Sequence, residues 1–253
     1  VTIVSEAEDT YIGTRAFSNS SSEALKLEKV EISGAGILRI GKDESNGGVT
    51  FGHQPALKTV DLSGFSGTVI LGQMAFISDS ALREIILGEN TTISHMGYGC
   101  FAYCESLKLD FSKLTGSIAR AAFSIDAEST NKGQGPLMGV TELDLSNVKE
   151  IGAFAMAAER KYEGFGYTDL TSVKLDGLKR LHAYAFQGAT NVNWDEANIP
   201  EDAKLAYSDV LTGSDTIWQR ILNIMAGKFS LDSDGYSIPL APSNNSWESS
   251  KYG

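Results

Sequence analysis

The chain has 253 residues, of which 42% are hydrophobic and 21% charged, a composition that supports a sizeable core and excludes a disordered chain. Its 32 acidic residues outnumber its 21 lysines and arginines and leave a formal net charge of −11. Such a charge disfavours binding to nucleic-acid phosphates or to anionic bilayers. No apolar run approaches the ~20 residues of a membrane-spanning helix, so we expect no nucleic-acid partner and no membrane insertion of this chain.

Residues 1–10 are predicted to form an N-terminal cap or linker. Val1 and Ile3 alternate with polar residues, and acidic residues follow them. The alternation predicts a short strand that shields the first unit of the fold; the alternative is the remnant of an upstream domain. No signal peptide is recognisable in this polar opening, so we expect a mature or trimmed product.

A repeated unit occupies residues 11–198, in about seven copies. Its clearest copy, at 71–87, has an aliphatic residue (Leu71), an aromatic anchor five positions later (Phe76) and the apolar triad L-x-x-[VI]-x-[LI]. The triad starts at Leu27, Leu57, Leu82, Val140 and Leu170, with a deformed copy at Leu107 and a weak one at Val192. The anchor is Phe17, Phe51, Phe76, Phe101, Phe123 or Phe186, and Met156 replaces it once. Units of this kind bury their faces only by stacking on one another.

The spacing within the triad predicts one short strand in each repeat. Its last two apolar positions are two residues apart and therefore point to the same face of a strand. Stacked copies pair about 4.8 Å apart, so roughly seven of them make a parallel sheet about 30–35 Å long. The anchor must lie on the far side of each coil, inserted between turns. The expected fold is an α/β repeat solenoid, a right-handed coil with a curved parallel β-sheet and a C-terminal helical cap.

Two long insertions leave consecutive repeats at the same point, between the anchor and the triad. They cover residues 124–139 and 157–169, and stacking must place them side by side at one edge of the solenoid. The second contains Tyr162, Phe165 and Tyr167, and aromatic side chains offer large contact areas. We therefore predict a ligand surface there; the alternative is that these aromatic residues fold down and cover the edge of the coil.

The repeat pattern ends before residue 199. Residues 199–227 are predicted to cap the last coil with a helix, because apolar residues recur there at helical spacing. These residues are Ile217, Trp218, Ile221, Leu222 and Met225. Residues 228–253 are predicted to form a hairpin and a loose tail. The hairpin turn at 232–235 reads D-x-D-G but lacks the later ligands of a calcium loop.

No catalytic, metal or cofactor site is predicted. His53, His95 and His182 belong to different repeats and share no nucleophile spacing with Ser or Cys, and no hydrolase, zinc-protease or nucleotide-binding motif occurs. Cys100 and Cys104 are the only cysteines, and no His or further Cys completes a zinc set. We expect two buried free thiols and a protein that is not an enzyme.

Acidic residues recur on the outer face of the predicted sheet. The position between the last two triad residues faces solvent, and stacking aligns its copies in one column. This acidic column contains Glu31, Asp61, Ile86, Asp110, Asp144 and Lys174. Its carboxylates repel one another unless neighbouring lysines (Lys29 and Lys108), cations or a ligand offset them. Two interpretations remain open: a solvated face with local ion pairing, or a patch for a basic partner or divalent cations.

The anchor followed by the triad resembles the BspA-like leucine-rich repeats of bacterial surface proteins. Ala75-Phe76 and Ala185-Phe186 match the family's anchor, and residues 101–104 are similar to its common A-F-x-x-C-x-x-L continuation. The resemblance covers about residues 11–225. The asparagine that ordinary leucine-rich repeats carry after L-x-x-L-x-L occurs only as Asn90, which favours the BspA-like subclass.

The resemblance implies a function and a location. The family is non-catalytic, with adhesion or ligand binding as its usual role. It implies an exported module at the bacterial cell surface that binds a host or bacterial protein or a glycan. We expect the chain to be a monomer. The alternative is a structural spacer that presents another domain of a longer surface protein. The candidate ligand-binding residues are Tyr162, Phe165 and Tyr167 in the insertion and Glu31, Asp61, Asp110 and Asp144 in the acidic column.

Overall fold

The structure is a computed structural model of the chain. It describes residues 1–18, 27–42, 49–104, 106–123, 139–152 and 169–181, together with 137, 155–156, 185–186, 189, 191–193, 198–200 and 203–205. The strands are β1 (Thr2–Ser5), β2 (Asp9–Ile12), β3 (Lys29–Ile40), β4 (Thr59–Leu62), β5 (Phe65–Leu71), β6 (Glu84–Leu87), β7 (Thr91–Met96), β8 (Leu114–Ile118), β9 (Glu142–Asp144), β10 (Val148–Ile151), β11 (Ser172–Lys174), β12 (Arg180–Leu181) and β13 (Lys204–Leu205). A 3₁₀ helix, Phe111–Lys113, lies between β7 and β8. The strands pair in parallel from coil to coil and build a β-solenoid.

The coils have two strand positions, not the single one that the triad predicts. The first strand contains the second apolar residue of the triad, as in β4, β6, β9 and β11. The second ends on the aliphatic residue five positions before the anchor, as in β5, β7, β8, β10 and β12. The middle of a second strand is polar, for example Ser66-Gly67-Thr68 in β5. It therefore lacks the apolar alternation by which a strand is recognised in a sequence.

β3 is one continuous strand that occupies both positions of its coil. Its first half pairs with β1 and β4, and its second half pairs with β2 and β5. It therefore joins the two stacks into one 11-stranded sheet, whereas β9 and β11 form a separate two-stranded sheet. Through β1 and β2, residues 2–12 form a further coil against β3.

The anchor phenylalanines form a continuous stack inside the solenoid, through about five turns. The ring centroids of Phe17, Phe51, Phe76, Phe101 and Phe123 follow one another at 4.9, 5.3, 5.5 and 5.6 Å. The angles between successive ring planes are 3 to 18°. All but Phe17 are fully buried. The prediction that the anchors are inserted between coils is confirmed.

Tight turns, and not α-helices, cross the far side of the coils. Residues with positive φ lie two positions before the anchor, at Met74 and Ala121, and two positions after it, at Ser78 and Tyr103. Such left-handed residues stop helix propagation, because a helix needs right-handed φ and ψ at every residue. Among the residues described, the 3₁₀ helix is the only helix. The α component of the expected α/β fold is therefore not found in this part of the chain.

The second stack of strands continues beyond the last predicted repeat. β13, which lies in the predicted capping segment, pairs in parallel with β12. The helix predicted at 217–225 and the hairpin turn at 232–235 lie outside the described residues, so the helical cap stays a prediction.

Both cysteines are buried free thiols, as predicted. Cys100 and Cys104 have no exposed surface, and Cys104 Sγ donates a hydrogen bond of 3.0 Å to the carbonyl oxygen of Phe76. A thiol must be accessible and ionised to react. Labelling of the native chain with a maleimide is therefore expected to be slow and to become fast only in denaturant. Rapid labelling of the folded chain, or an intact mass lower by two hydrogens, would contradict this expectation.

Candidate functional site

The structure aligns the predicted acidic column in two separate parts. Glu31 lies opposite Asp61, and Asp61 lies opposite Ile86. Further along, Asp144 lies opposite Lys174. The parallel register of successive coils produces this arrangement, because equivalent residues of neighbouring coils lie side by side.

At the N-terminal end of the column, the carboxylates are paired within the protein. Lys29 Nζ lies 2.7 Å from Glu31 Oε1 and 3.0 Å from Asp61 Oδ2. The hydrogen bond from Lys29 is the main cause of the lowered pKa of Glu31. Hydrogen bonds from Ser63, followed by the one from Lys29, lower the pKa of Asp61. Both acids are therefore ionised at neutral pH and locally compensated, which supports the interpretation of a solvated face at this end.

A recurring Asp-x-Ser turn explains why aspartate occupies the column. The Oδ1 atoms of Asp61, Asp110 and Asp144 each accept two hydrogen bonds from the serine two residues later. The distances are 3.0–3.1 Å from the serine amide and 2.6–2.7 Å from its hydroxyl. The turn follows the first strand position of the coil, and its sequence is D-L-S or D-F-S. The periodicity of apolar residues does not reveal this turn, because its hydrogen bonds are made by the polar residues.

The first stack of strands, formed by the first strand of each coil, is interrupted after β6. The triad copy at 107–111 is one residue shorter than the others, and it forms only an isolated bridge, between Lys108 and Glu84. The next strand, β9, pairs with β11 and with no other strand of the described ranges. A groove of about 290 Å³ lies at this interruption.

The groove combines apolar side chains with carboxylates. It is lined by Lys108, Leu109, Asp110, Phe111, Ser112, Val140, Glu142 and Asp144. Three carboxylates and one ammonium make the lining net negative. Hydrogen bonds from Ser146 lower the pKa of Asp144, which keeps this carboxylate ionised at neutral pH.

The groove brings together only part of the predicted ligand-binding set. Asp110 and Asp144 line it, whereas Glu31 and Asp61 lie at the other end of the column, against Lys29. The aromatic residues of the insertion, Tyr162, Phe165 and Tyr167, lie outside the described residues, so their role stays a prediction.

The other lining residues, among them Val140 and Glu142, were not predicted to bind a ligand. Val140 begins a triad, which predicts burial, but it is only partly buried. Glu142 is an exposed strand residue without a distinctive motif. The sequence contains one signal for the groove, the shortened triad at 107–111, which precedes the insertion at 124–139.

A histidine and a serine meet in the second stack, against the expectation from their spacing. His95 and Ser117 are register partners on β7 and β8, and His95 Nδ1 lies 2.6 Å from Ser117 Oγ. A nucleophilic serine also needs donors that stabilise an oxyanion. The hydrogen bond between His95 and Ser117 is a polar pair between neighbouring strands, of the kind that stabilises a sheet. His53 lies exposed in a turn, and His182 lies outside the described residues.

Within the residues that the structure describes, no group of three or more His, Cys, Asp or Glu side chains is arranged to hold a metal ion. The same part of the chain contains no helix of the length and apolarity that a membrane crossing requires.

The repeats match a known family over the first half of the chain. A model of the BspA type leucine rich repeat region fits residues 2–130, with 6 copies, which is just over half of the 253 residues. Comparison with curated proteins and with solved structures gives no match. Repeats of this type are typically non-catalytic and are generally associated with bacterial surface proteins. The chain belongs to the BspA-type leucine-rich repeat family.

Proposed function

We propose that this chain is a non-catalytic binding module, exported to the bacterial cell surface, that recognises an extended basic segment of a partner protein. The observation that carries the proposal is the groove at the interruption of the first strand stack. Family membership supports the non-catalytic role and the location.

The free edge of β9 favours an extended protein segment over a glycan. In the described part of the chain, β9 has a strand partner on one side only. A sheet edge presents backbone N–H and C=O groups to which an added strand can bind. The groove, at about 290 Å³, is near the lower limit for small-ligand pockets. It therefore suits one or two side chains of a segment whose backbone pairs with β9.

The charges of the groove favour basic side chains in that segment. Asp110, Glu142 and Asp144 outnumber Lys108 in the lining. Exposed ion pairs contribute only about 0.2–1 kcal/mol each, so the carboxylates would select the partner and speed its association more than they strengthen the complex. Contact with Leu109 and Phe111 would supply the apolar part of the affinity.

Charge reversal in the groove is expected to weaken binding. The purified chain is first applied to an array of host-matrix and bacterial surface proteins, with glycans as a separate arm. The dissociation constant of each retained protein is then measured for the wild-type chain, Glu142→Lys and Glu84→Lys. Both glutamates are exposed and occupy the same position of their repeats, but Glu84 does not line the groove. Glu142→Lys is expected to weaken binding by about tenfold or more, equivalent to about 1.4 kcal/mol, and Glu84→Lys to leave it nearly unchanged.

Three outcomes would contradict the proposal. Equal losses in both variants would place the binding site outside the groove. Retention of glycans alone would refute the partner class. Failure of the wild-type chain to retain any arrayed protein or glycan would favour a structural spacer that presents another domain.

A further inference from the structure

A buried position recurs three residues after the anchor, and three of its four described residues have polar side chains. Its described members are Gln54, Asp79, Cys104 and Ala189, and all four are fully buried. Polar groups in such a position must find hydrogen-bond partners, because water cannot supply them.

Two of these side chains donate to the anchor of the preceding coil. Gln54 Nε2 donates to the carbonyl oxygen of Phe17. Cys104 Sγ donates to the carbonyl oxygen of Phe76 at 3.0 Å. The same side-chain position therefore ties one coil to the next at two places along the stack.

Asp79 occupies this position in the coil between them, but an ionised carboxylate has no proton to donate. Its Oδ1 accepts a hydrogen bond of 2.7 Å from the backbone amide of Gln54. Its Oδ2 is buried and has no hydrogen-bond partner among the residues that the structure describes. The carbonyl oxygen that corresponds to the acceptors in the neighbouring coils is that of Phe51.

The Phe51 carbonyl also lacks the hydrogen bond that other anchors receive within their own turn. The amides of Asp79 and Cys104 donate to the carbonyl oxygens of Phe76 and Phe101, at 3.3 and 3.1 Å. In the Phe51 turn, the corresponding amide, that of Gln54, donates to Asp79 instead. Within the described residues, no hydrogen bond to the Phe51 carbonyl oxygen is formed.

We infer that Asp79 is protonated in the folded chain and that its carboxylic O–H donates to the carbonyl oxygen of Phe51. The proton supplies the donor that an amide nitrogen and a thiol supply in the neighbouring coils. It also removes the cost of an uncompensated buried charge beside a carbonyl oxygen. One proton thus satisfies both Oδ2 and the Phe51 carbonyl.

The surroundings of Asp79 favour the neutral acid. Burial raises the pKa of Asp79 from its ordinary 3.8 to about 9, opposed only by the hydrogen bond from the Gln54 amide. The titratable residues next to this position in the adjoining turns are His53 in the coil before, and Tyr103 and Cys104 in the coil after. None of the three is among the causes of the shift.

The contribution of Asp79 to stability is therefore expected to be larger at acidic pH. The unfolded chain releases the Asp79 proton above its ordinary pKa of 3.8, whereas the folded chain retains it up to about 9. Stability from this residue is therefore greatest below the lower value and declines as the pH rises through the window to the upper one. Above both values the contribution no longer changes.

The test compares the wild-type chain with Asp79→Asn in urea titrations from about pH 5 to about pH 8. Asparagine keeps an acceptor for the Gln54 amide and a donor for the Phe51 carbonyl, but it does not titrate. The unfolding equilibrium constant of the wild type is expected to rise, relative to D79N, by up to about tenfold per pH unit. The matched control, Glu89→Gln, removes an exposed carboxylate and is expected to give a profile parallel to that of the wild type.

Parallel pH profiles for the wild type and D79N would overturn the inference. A second measurement does not depend on the folding of a variant. Infrared spectra of wild-type chain with isotope-labelled aspartate are expected to show a protonated carboxylic C=O band at neutral pH. Absence of that band would also overturn the inference.

Discussion

Replacement of Phe76 by alanine is expected to lower the free energy of unfolding by about 3–5 kcal/mol. Phe76 has no exposed surface, and its ring is stacked on Phe51 at 5.3 Å and on Phe101 at 5.5 Å. Removal of the ring therefore leaves a cavity lined from both neighbouring coils. The backbone of the coil is fixed by bonds to the coils on either side, so the cavity cannot collapse easily.

Denaturant titration followed by circular dichroism measures this loss. Tyr11→Ala is the matched control, because Tyr11 is an aromatic residue with 44% of its surface exposed. Its replacement is expected to change the free energy of unfolding by less than about 0.5 kcal/mol. A loss below about 1 kcal/mol for Phe76→Ala would show that the anchors do not hold the coils together. In a solenoid each coil contacts only its neighbours, so we also expect a less cooperative transition.

Substitution of Gly67 by alanine is expected to cost about 2–5 kcal/mol, from backbone strain and overpacking together. Gly67 has φ +141°, and a Cβ there would lie 2.1 Å from the carbonyl oxygen of Gly36, its register partner on β3. A backbone atom cannot move aside without breaking the pairing of β3 with β5. The glycine is therefore required both for the conformation and for the close approach of the two coils.

Gly139→Ala separates these two causes. Gly139 also has positive φ, at +71°, but no atom of the described ranges lies within 4 Å of the position that a Cβ would take there. Its substitution is expected to cost only the backbone term, about 1–2 kcal/mol. Thermal and urea unfolding of the two variants measure the difference. Equal losses would mean that the contact with Gly36 does not constrain the fold.

The first strand position and the anchors could be predicted from the sequence because their signals are local. The triad repeats two apolar positions on one face of a short segment, and Phe51, Phe76 and Phe101 each lie six residues before the next triad. Phe123 follows an aliphatic residue, Ile118, by the five positions typical of the anchor. Burial of both sets follows from any stacked arrangement of the repeats. The register of Glu31, Asp61 and Ile86, and of Asp144 with Lys174, follows for the same reason, since equivalent residues of parallel coils lie side by side.

The second strand and the turns around the anchor could not be predicted in this way. Ser66, Gly67 and Thr68 have no apolar pattern, and they are extended because β3 and β7 pair with β5 on both sides. Positive φ at Met74 and Ser78 is not a preference of those residue types. Hydrogen bonds between coils hold these residues in that conformation. The Met74 amide donates to the carbonyl oxygen of Tyr98, and the Ser78 amide donates to that of Ala102.

The candidate sites show the same division. Asp110 and Asp144 can be identified as column members from the sequence. The groove between them depends on the tertiary structure, because the triad shortened by one residue leaves β9 without a partner strand on that side among the described residues. In the sequence, Asp79 is only a polar residue that follows an anchor. The stacking of the coils places it between Gln54 of one neighbouring coil and Cys104 of the other. Periodicity along the chain determines which residues enter the core, because it reflects neighbours a few positions apart. Gaps between coils and buried hydrogen bonds depend on residues about 25 positions apart, and only the tertiary structure brings those together.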